Sequence, residues 1–141
     1  MKTIGELSPP VSLPAADGTS VLVVDDEVAV RRFAMRVLEG EGYLVIEARD
    51  GIEALELIQH GGTLLEVVVS DIVMPRLNGV ELMQALVASH PELPVILMSG
   101  YATAALAELG IASPCAILAK PFLADRLLEE VRRCSRPKTV G

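Results

Sequence analysis

The sequence predicts an α/β fold, a doubly wound sheet of five parallel strands with helices on both faces. Three observations carry this expectation. Short apolar runs alternate five times with segments of helical periodicity, a pattern that closes into a parallel sheet through right-handed crossovers. The apolar runs are rich in Val, Leu and Ile without strict alternation, as strands covered on both faces require. With 141 residues, 51% of them hydrophobic, the chain is long enough to bury one proper core.

The elements follow in order. "VLVV" (21–24) is the first strand, and Val30, Phe33, Ala34, Val37 and Leu38 then recur at helical spacing until Gly40. "YLVI" (43–46) is the second strand. Asp50 and Glu53 have the spacing of a capping box for a helix carrying Leu55 and Ile58. "LEVVV" (65–69) is the third strand, within a run "LLEVVVSD" that stops on Asp71, and a helix runs from about Gly79 to Ser89. "PVILM" (94–98) is the fourth strand, followed by an Ala-rich helix near 103–109. "CAILA" (115–119) is the fifth, followed by a helix with Leu127, Leu128 and Val131 on one face. Residues 1–19, with three prolines and no periodicity, read as a flexible linker or tail; residues 20–136 form the domain and 137–141 a C-terminal tail.

Composition excludes several classes of function. The net charge is -7 and there is no Lys/Arg-rich stripe, so direct binding to nucleic acid, which needs many basic contacts to phosphate, is not expected. No apolar run approaches bilayer-spanning length, and the first residues lack the apolar core of a signal peptide. The chain is expected to be cytoplasmic, without direct membrane contact. Cys115 and Cys134 match no metal-ligand or CxxC pattern, and are read as two small buried hydrophobes.

The functional signal is where the polar residues fall. The first strand ends in "DDE" (25–27), the third in Asp71, the fourth in Ser99 and the fifth in Lys120; the second ends in "EAR", with nothing comparable. Open parallel sheets bind ligands beyond the carboxyl ends of their strands, where the winding reverses. A spatial order 2-1-3-4-5 would bring the four polar-ended strands together and leave the second at the edge. Each residue has a plain explanation alone: Asp26 or Ser99 as a helix cap, Asp71 as a turn residue, Lys120 as a solvated lysine. Those explanations do not account for all four at one end of one sheet. Three converging carboxylates repel one another, and Mg²⁺ relieves this with one or two carboxylates, a carbonyl and waters. With Lys120 alongside, such a site could hold a phosphoryl group.

"VLVVDDE", "VSDIVMPRLNG", "LPVILMSGY" and "AKPF", in this order and spacing, resemble the receiver domain of the two-component response-regulator family over about residues 20–135. The resemblance implies a flavodoxin-like (βα)5 fold with strand order 2-1-3-4-5, the order that flavodoxin and the chemotaxis receiver share. It implies that Asp71 is the phosphoacceptor, taking a phosphoryl group from a phosphohistidine of a histidine kinase or phosphotransfer protein. It also implies Mg²⁺ bound by Asp26, Asp71 and the carbonyl of Val73, with Asp25 holding a metal-bound water. Lys120 would pair with Asp71 and then with the phosphoryl oxygens, Ser99 would swing onto the phosphoryl group, and the Lys120–Pro121 bond would be cis. Val73 and Tyr101, two beyond the acceptor and two beyond the hydroxyl, would flank the approach of water and set the lifetime of the phosphorylated state.

The chain departs from the family at Ile117, where the family's switch aromatic usually stands, and at "SPCAI" (113–117) and "TAALAEL". These departures disfavour the salt-bridged dimer of receivers found in transcription factors. The expected protein is a phosphorylatable module that catalyses only its own phosphorylation and dephosphorylation and then acts on a downstream protein. It would be either a single-domain regulator or the receiver of a hybrid kinase, an origin that the Pro-rich start favours. The competing functions are a Mg²⁺-dependent phosphotransferase or phosphatase acting on a small molecule, which would need a substrate-covering cap, and a scaffold independent of phosphorylation.

Overall fold

The structure, a computed structural model, describes residues 20–61, 65–100 and 114–135. The expected helix near 103–109, Tyr101, and the segments 1–19 and 137–141 lie outside them. The described elements are β1 (Ser20–Val24), α1 (Val28–Gly40), β2 (Leu44–Ala48), α2 (Gly51–Gly61), β3 (Leu65–Asp71), α3 (Gly79–Ser89), β4 (Val95–Ser99), β5 (Ala116–Ala119) and α4 (Ala124–Cys134). The five strands form one sheet in the order β2-β1-β3-β4-β5, and every pair is parallel.

Alternation along the strands divides the core between the two faces. Leu22 and Val24 of β1 and Val68 of β3 pack with Ala54 and Ile58 of α2 and Leu82, Met83 and Leu86 of α3. Val21, Val23, Val67, Val69, Ile96 and Met98 face the other way, against Ala34 and Leu38 of α1 and Leu127 and Val131 of α4. β1, β3 and β4 are buried along their whole length, which is why their sequences show no polar alternation. Ile117 of β5 is partly buried against the first cluster. Phe33 is instead 40% exposed on α1, with its ring 5.9 Å from that of Phe122.

Two helix starts show how local chemistry fixes the chain. Asp50 Oδ1 accepts from the backbone N–H of Glu53, as expected, but the Glu53 carboxylate takes the N–H of Arg49 instead of returning to Asp50. A complete reciprocal box forms at α3, where Asn78 accepts from the Glu81 N–H and the Glu81 carboxylate accepts from the Asn78 N–H. No helix among the described residues is long and apolar enough to cross a membrane.

The cysteines correct the expectation of two separate buried thiols: Cys115 and Cys134 form a disulfide, with Cα atoms 6.0 Å apart. Cys134 is buried, but Cys115 is exposed. The reason is the geometry of a strand–helix unit. A helix packed on the strand before it runs back along that strand, so the end of α4 returns to the start of β5. A sequence separation of 19 then becomes a spatial contact that no short-range motif announces.

Closing a loop of this length stabilises a fold by about 3 kcal/mol. Reduction with a dithiol, or Cys134→Ser, should therefore lower the urea midpoint by a corresponding amount. Rapid alkylation of both thiols in the native, unreduced protein would show that no such bond forms.

Candidate functional site

Strand register gathers the polar residues at one end of the sheet. Val24 of β1 lies opposite Ser70 of β3, Asp71 opposite Met98 of β4, and Ser99 opposite Ala119 of β5. The residues next in each chain, Asp25 and Lys120, therefore emerge beside Asp71 and Ser99. The backbone N–H of Lys120 donates to the Ser99 carbonyl at 2.8 Å, and that of Ile72 to the Met98 carbonyl at 3.1 Å. Asp26 is not the cap of α1, because Glu27 occupies that position and makes no side-chain cap bond.

The side chains converge. Carboxylate oxygens of Asp25, Asp26 and Asp71 lie within 4.8 Å of one another. Lys120 Nζ lies 3.1 Å from Asp25 Oδ2, 3.1 Å from Asp71 Oδ1 and 3.9 Å from Glu27 Oε1. Asp25 and Asp71 are buried and Asp26 is exposed, so the cluster has an inner floor and one acidic residue at its rim. Burial pushes the Asp71 carboxyl above its usual range and the Asp25 charge adds to the rise, while Lys120 opposes it. Burial would lower Lys120, but its bonds to Asp25 and Asp71 and their charges outweigh this and leave the ammonium favoured. The Lys120–Pro121 peptide is cis.

The loop after Asp71 is shaped by close approach. Gly79 packs against the Asp71 carbonyl where any Cβ would collide with it, and the Gly79 N–H donates to the Ile72 carbonyl at 2.9 Å. The chain thus leaves β3, turns through Met74–Pro75 and comes back beneath the acid before α3 begins. Arg76 in that turn has φ 71° and bonds Asp50 Oδ2 through Nη2 at 2.7 Å, tying the loop to the start of α2. These contacts brace the end of β3 and leave Val73, 58% exposed, at the mouth of the site.

The donor set suits a small hard cation: three carboxylates, one of them solvent-facing, with no sulfur or imidazole. Of the residues selected from sequence, Asp25, Asp26, Asp71 and Lys120 meet directly, and Ser99 and Val73 lie on the adjoining strand end and loop; Tyr101 is outside the described residues. Sequence reasoning missed two neighbours. Glu27 reaches toward Lys120, and Arg31, buried one helical turn beyond it, contacts the acidic loop itself. A charged residue buried in α1 would have been legible as an interruption of that helix's apolar face. A cleft of about 380 Å³ opens beside Lys120 between α1 and the loop after β5, lined by Val30, Phe33, Pro121 and Phe122 among others.

Comparison with known proteins agrees with this geometry. The family model described as response regulator receiver domain matches residues 21–132. Sensor kinase CckA of Brucella abortus is 41% identical over 114 residues, covering 80% of this chain and 12% of that protein. Response regulator MprA of Mycobacterium sp. (strain KMS) is 37% identical over 117 residues, covering 82% of this chain and 50% of that one. The chain thus spans half or less of the length of these relatives. The crystal structure of the receiver domain of NtrX from Brucella abortus superposes with a TM-score of 0.73 at 34% identity, covering 81% of this chain and 96% of that one. That of TrrA from Thermotoga maritima, in complex with Mg²⁺ and BeF, gives 0.71 at 29% identity, covering 82% and 98%. With its sheet order, its acid–lysine cluster and a match along most of its length, the chain belongs to the response regulator receiver domain family, the phosphoacceptor modules of two-component signalling.

Proposed function

We propose that Asp71 is the phosphoacceptor and that the module takes a phosphoryl group from a phosphohistidine of a histidine kinase or phosphotransfer protein. The observation that carries this is Lys120, 3.1 Å from both Asp25 and Asp71 at the carboxyl end of the sheet. Oδ1 of Asp71 is held by Lys120, which leaves Oδ2 to form the bond to phosphorus as the phosphorus–nitrogen bond breaks and the imidazole departs. An ammonium has three donors. Two are directed at Asp25 and Asp71, and the third can meet an oxygen of the incoming phosphoryl group. Ser99, at the end of the neighbouring strand, supplies a hydroxyl to the same group once it is in place.

Asp26 and Asp71, with the Val73 carbonyl, would hold Mg²⁺, and Asp25 would orient a metal-bound water. The bound ion supplies charge neutralisation for the phosphoryl oxygens. The chain then catalyses only its own phosphorylation and dephosphorylation and passes the signal on by binding a downstream protein. The apolar cleft beside Lys120, with Phe33 and Phe122 in its wall, supports the approach of a partner from the α1 side. The lifetime of the acyl phosphate is set by Val73 and Tyr101, neither of which is an acid or amide that would orient a water for attack.

Metal binding and stability are linked. A raised carboxyl pKa means that the fold binds the Asp71 proton more tightly than the unfolded chain does. Without metal, stability therefore falls as pH rises from the ordinary carboxylate range through the raised value, and the loss persists at neutral pH. Asp71→Asn should raise the metal-free urea midpoint at pH 7 and weaken Mg²⁺ binding. For the wild type, Mg²⁺ at about a hundred times its Kd should add roughly 2.7 kcal/mol. A melting temperature indifferent to millimolar Mg²⁺ would count against the metal site.

Acetyl phosphate or phosphoramidate with Mg²⁺ should add one acid- and base-labile phosphoryl group, seen by mass spectrometry, and Asp71→Ala should abolish it. Labelling at full yield in Asp71→Ala would place the acceptor elsewhere.

Val73→Asn with Tyr101→Glu should speed loss of the phosphoryl group about tenfold, or about 1.4 kcal/mol of barrier, by positioning the attacking water. Equal decay in wild type and double variant, after removal of the donor at the same Mg²⁺, would remove these side chains from that role.

A further inference from the structure

Asp25 has a partner on each of its four polar atoms. Its N–H donates to the Ala48 carbonyl at 3.2 Å, Oδ1 accepts from the Glu27 N–H at 2.9 Å, and Oδ2 accepts from Lys120 at 3.1 Å. The fourth atom, its backbone carbonyl, accepts from Arg31 Nη1 at 2.8 Å. Arg31 is 6% exposed, and its Nε donates to Glu47 Oε1, also at 2.8 Å. Glu47 lies on β2, opposite Val23 and so on the α1 side of the sheet. Hydrogen bonding from Arg31 is the leading reason that the Glu47 carboxyl is held below its usual range.

A guanidinium suits both bonds at once, because its donors diverge from a rigid plane and are fixed relative to one another. A buried arginine is costly to desolvate, and a single bond to a partly exposed carboxylate is weak compensation. The additional bond to a backbone carbonyl is what distinguishes this arginine from a surface ion pair. Neighbouring Arg32 provides the internal comparison. It reaches the same Glu47 oxygen at 3.3 Å, its side chain is 51% exposed, and among the described residues it bonds to that carboxylate alone.

We infer that Arg31 is a positioning residue for the metal site: it locks the β1–α1 loop, through the Asp25 carbonyl, in the geometry that presents Asp25 and Asp26 to the cation. This rests on the Mg²⁺ role proposed above. Groups that orient the ligands of a metal affect its affinity by about tenfold to a hundredfold when removed, without touching the ion. A role confined to fold stability would lower the unfolding midpoint and leave the affinity of the folded protein unchanged.

The test is calorimetric titration of the full chain with Mg²⁺ alone, with urea unfolding in parallel, for wild type, Arg31→Met, Arg31→Lys and Arg32→Gln. Arg31→Met should weaken Mg²⁺ binding by about tenfold or more. Arg31→Lys keeps the charge but lacks the fixed, diverging donors of the guanidinium, and should also bind more weakly than wild type. Arg32→Gln should bind as wild type does. Wild-type affinity in folded Arg31→Met overturns the inference, as does wild-type affinity in Arg31→Lys if the methionine variant does not fold. Equal weakening in Arg32→Gln overturns it too, since the Glu47 ion pair would then be the cause. Failure of the wild type to bind Mg²⁺ would instead overturn the metal site itself, and the role of Arg31 with it.

Discussion

Lys120 Nζ lies 3.1 Å from Asp25 Oδ2 and 3.1 Å from Asp71 Oδ1, and this single ammonium lets two buried carboxylates share the end of the sheet. Unit charges on carboxylate oxygens no more than 4.8 Å apart repel by at least about 3.5 kcal/mol at an effective dielectric constant of about 20, before any desolvation. An ammonium at hydrogen-bonding distance from both acids more than offsets that repulsion. The offset is incomplete for Asp71, whose carboxyl remains raised because burial is its largest perturbation. The site is thus poised: folded and coherent with the lysine alone, yet still short of positive charge. A cation or a ligand carrying one is the natural complement.

The rest of the architecture serves that poise. The doubly wound order brings β1, β3, β4 and β5 side by side, and β2, the strand without a site residue at its end, is left at the edge. β2 still contributes through Glu47 and the Ala48 carbonyl, which brace the acidic loop from the side. On the opposite flank, Gly79 lets the returning chain lie against the carbonyl of Asp71, so this carboxylate is supported from beneath as well as from its neighbours.

Much of this was legible in the sequence because the informative residues break a pattern. Asp25, Asp26, Asp71, Ser99 and Lys120 each interrupt an apolar run at its C-terminal end, and a parallel sheet puts those ends together whatever the loops do. The features that were not legible depend on how separate elements meet. The Cys115–Cys134 bond needs the return of α4 along β5, and the Arg31–Glu47 pair needs a helix laid over one face of a particular strand. The reciprocal capping at Asn78 and Glu81 was available locally, but the Asn-Gly pair reads first as a turn. Ile117 shows the converse case: the sequence marks it as unusual, and in the fold it packs against the apolar cluster under α2 and α3.

The disulfide has a mechanical consequence for the site. β5 is a strand of four residues at the sheet's edge, hydrogen-bonded to β4 on one side, and Lys120 follows directly from it. Short edge strands fray, opening and closing at low cost compared with the strands between them. Fraying here would move the ammonium away from both acids. A covalent link from the residue preceding β5 to the last residue of α4, a helix anchored by Leu127 and Val131, makes the strand's free end part of a closed ring. The lysine then inherits the stiffness of a packed helix, and the edge of the sheet can carry a residue whose position must hold to within a hydrogen bond.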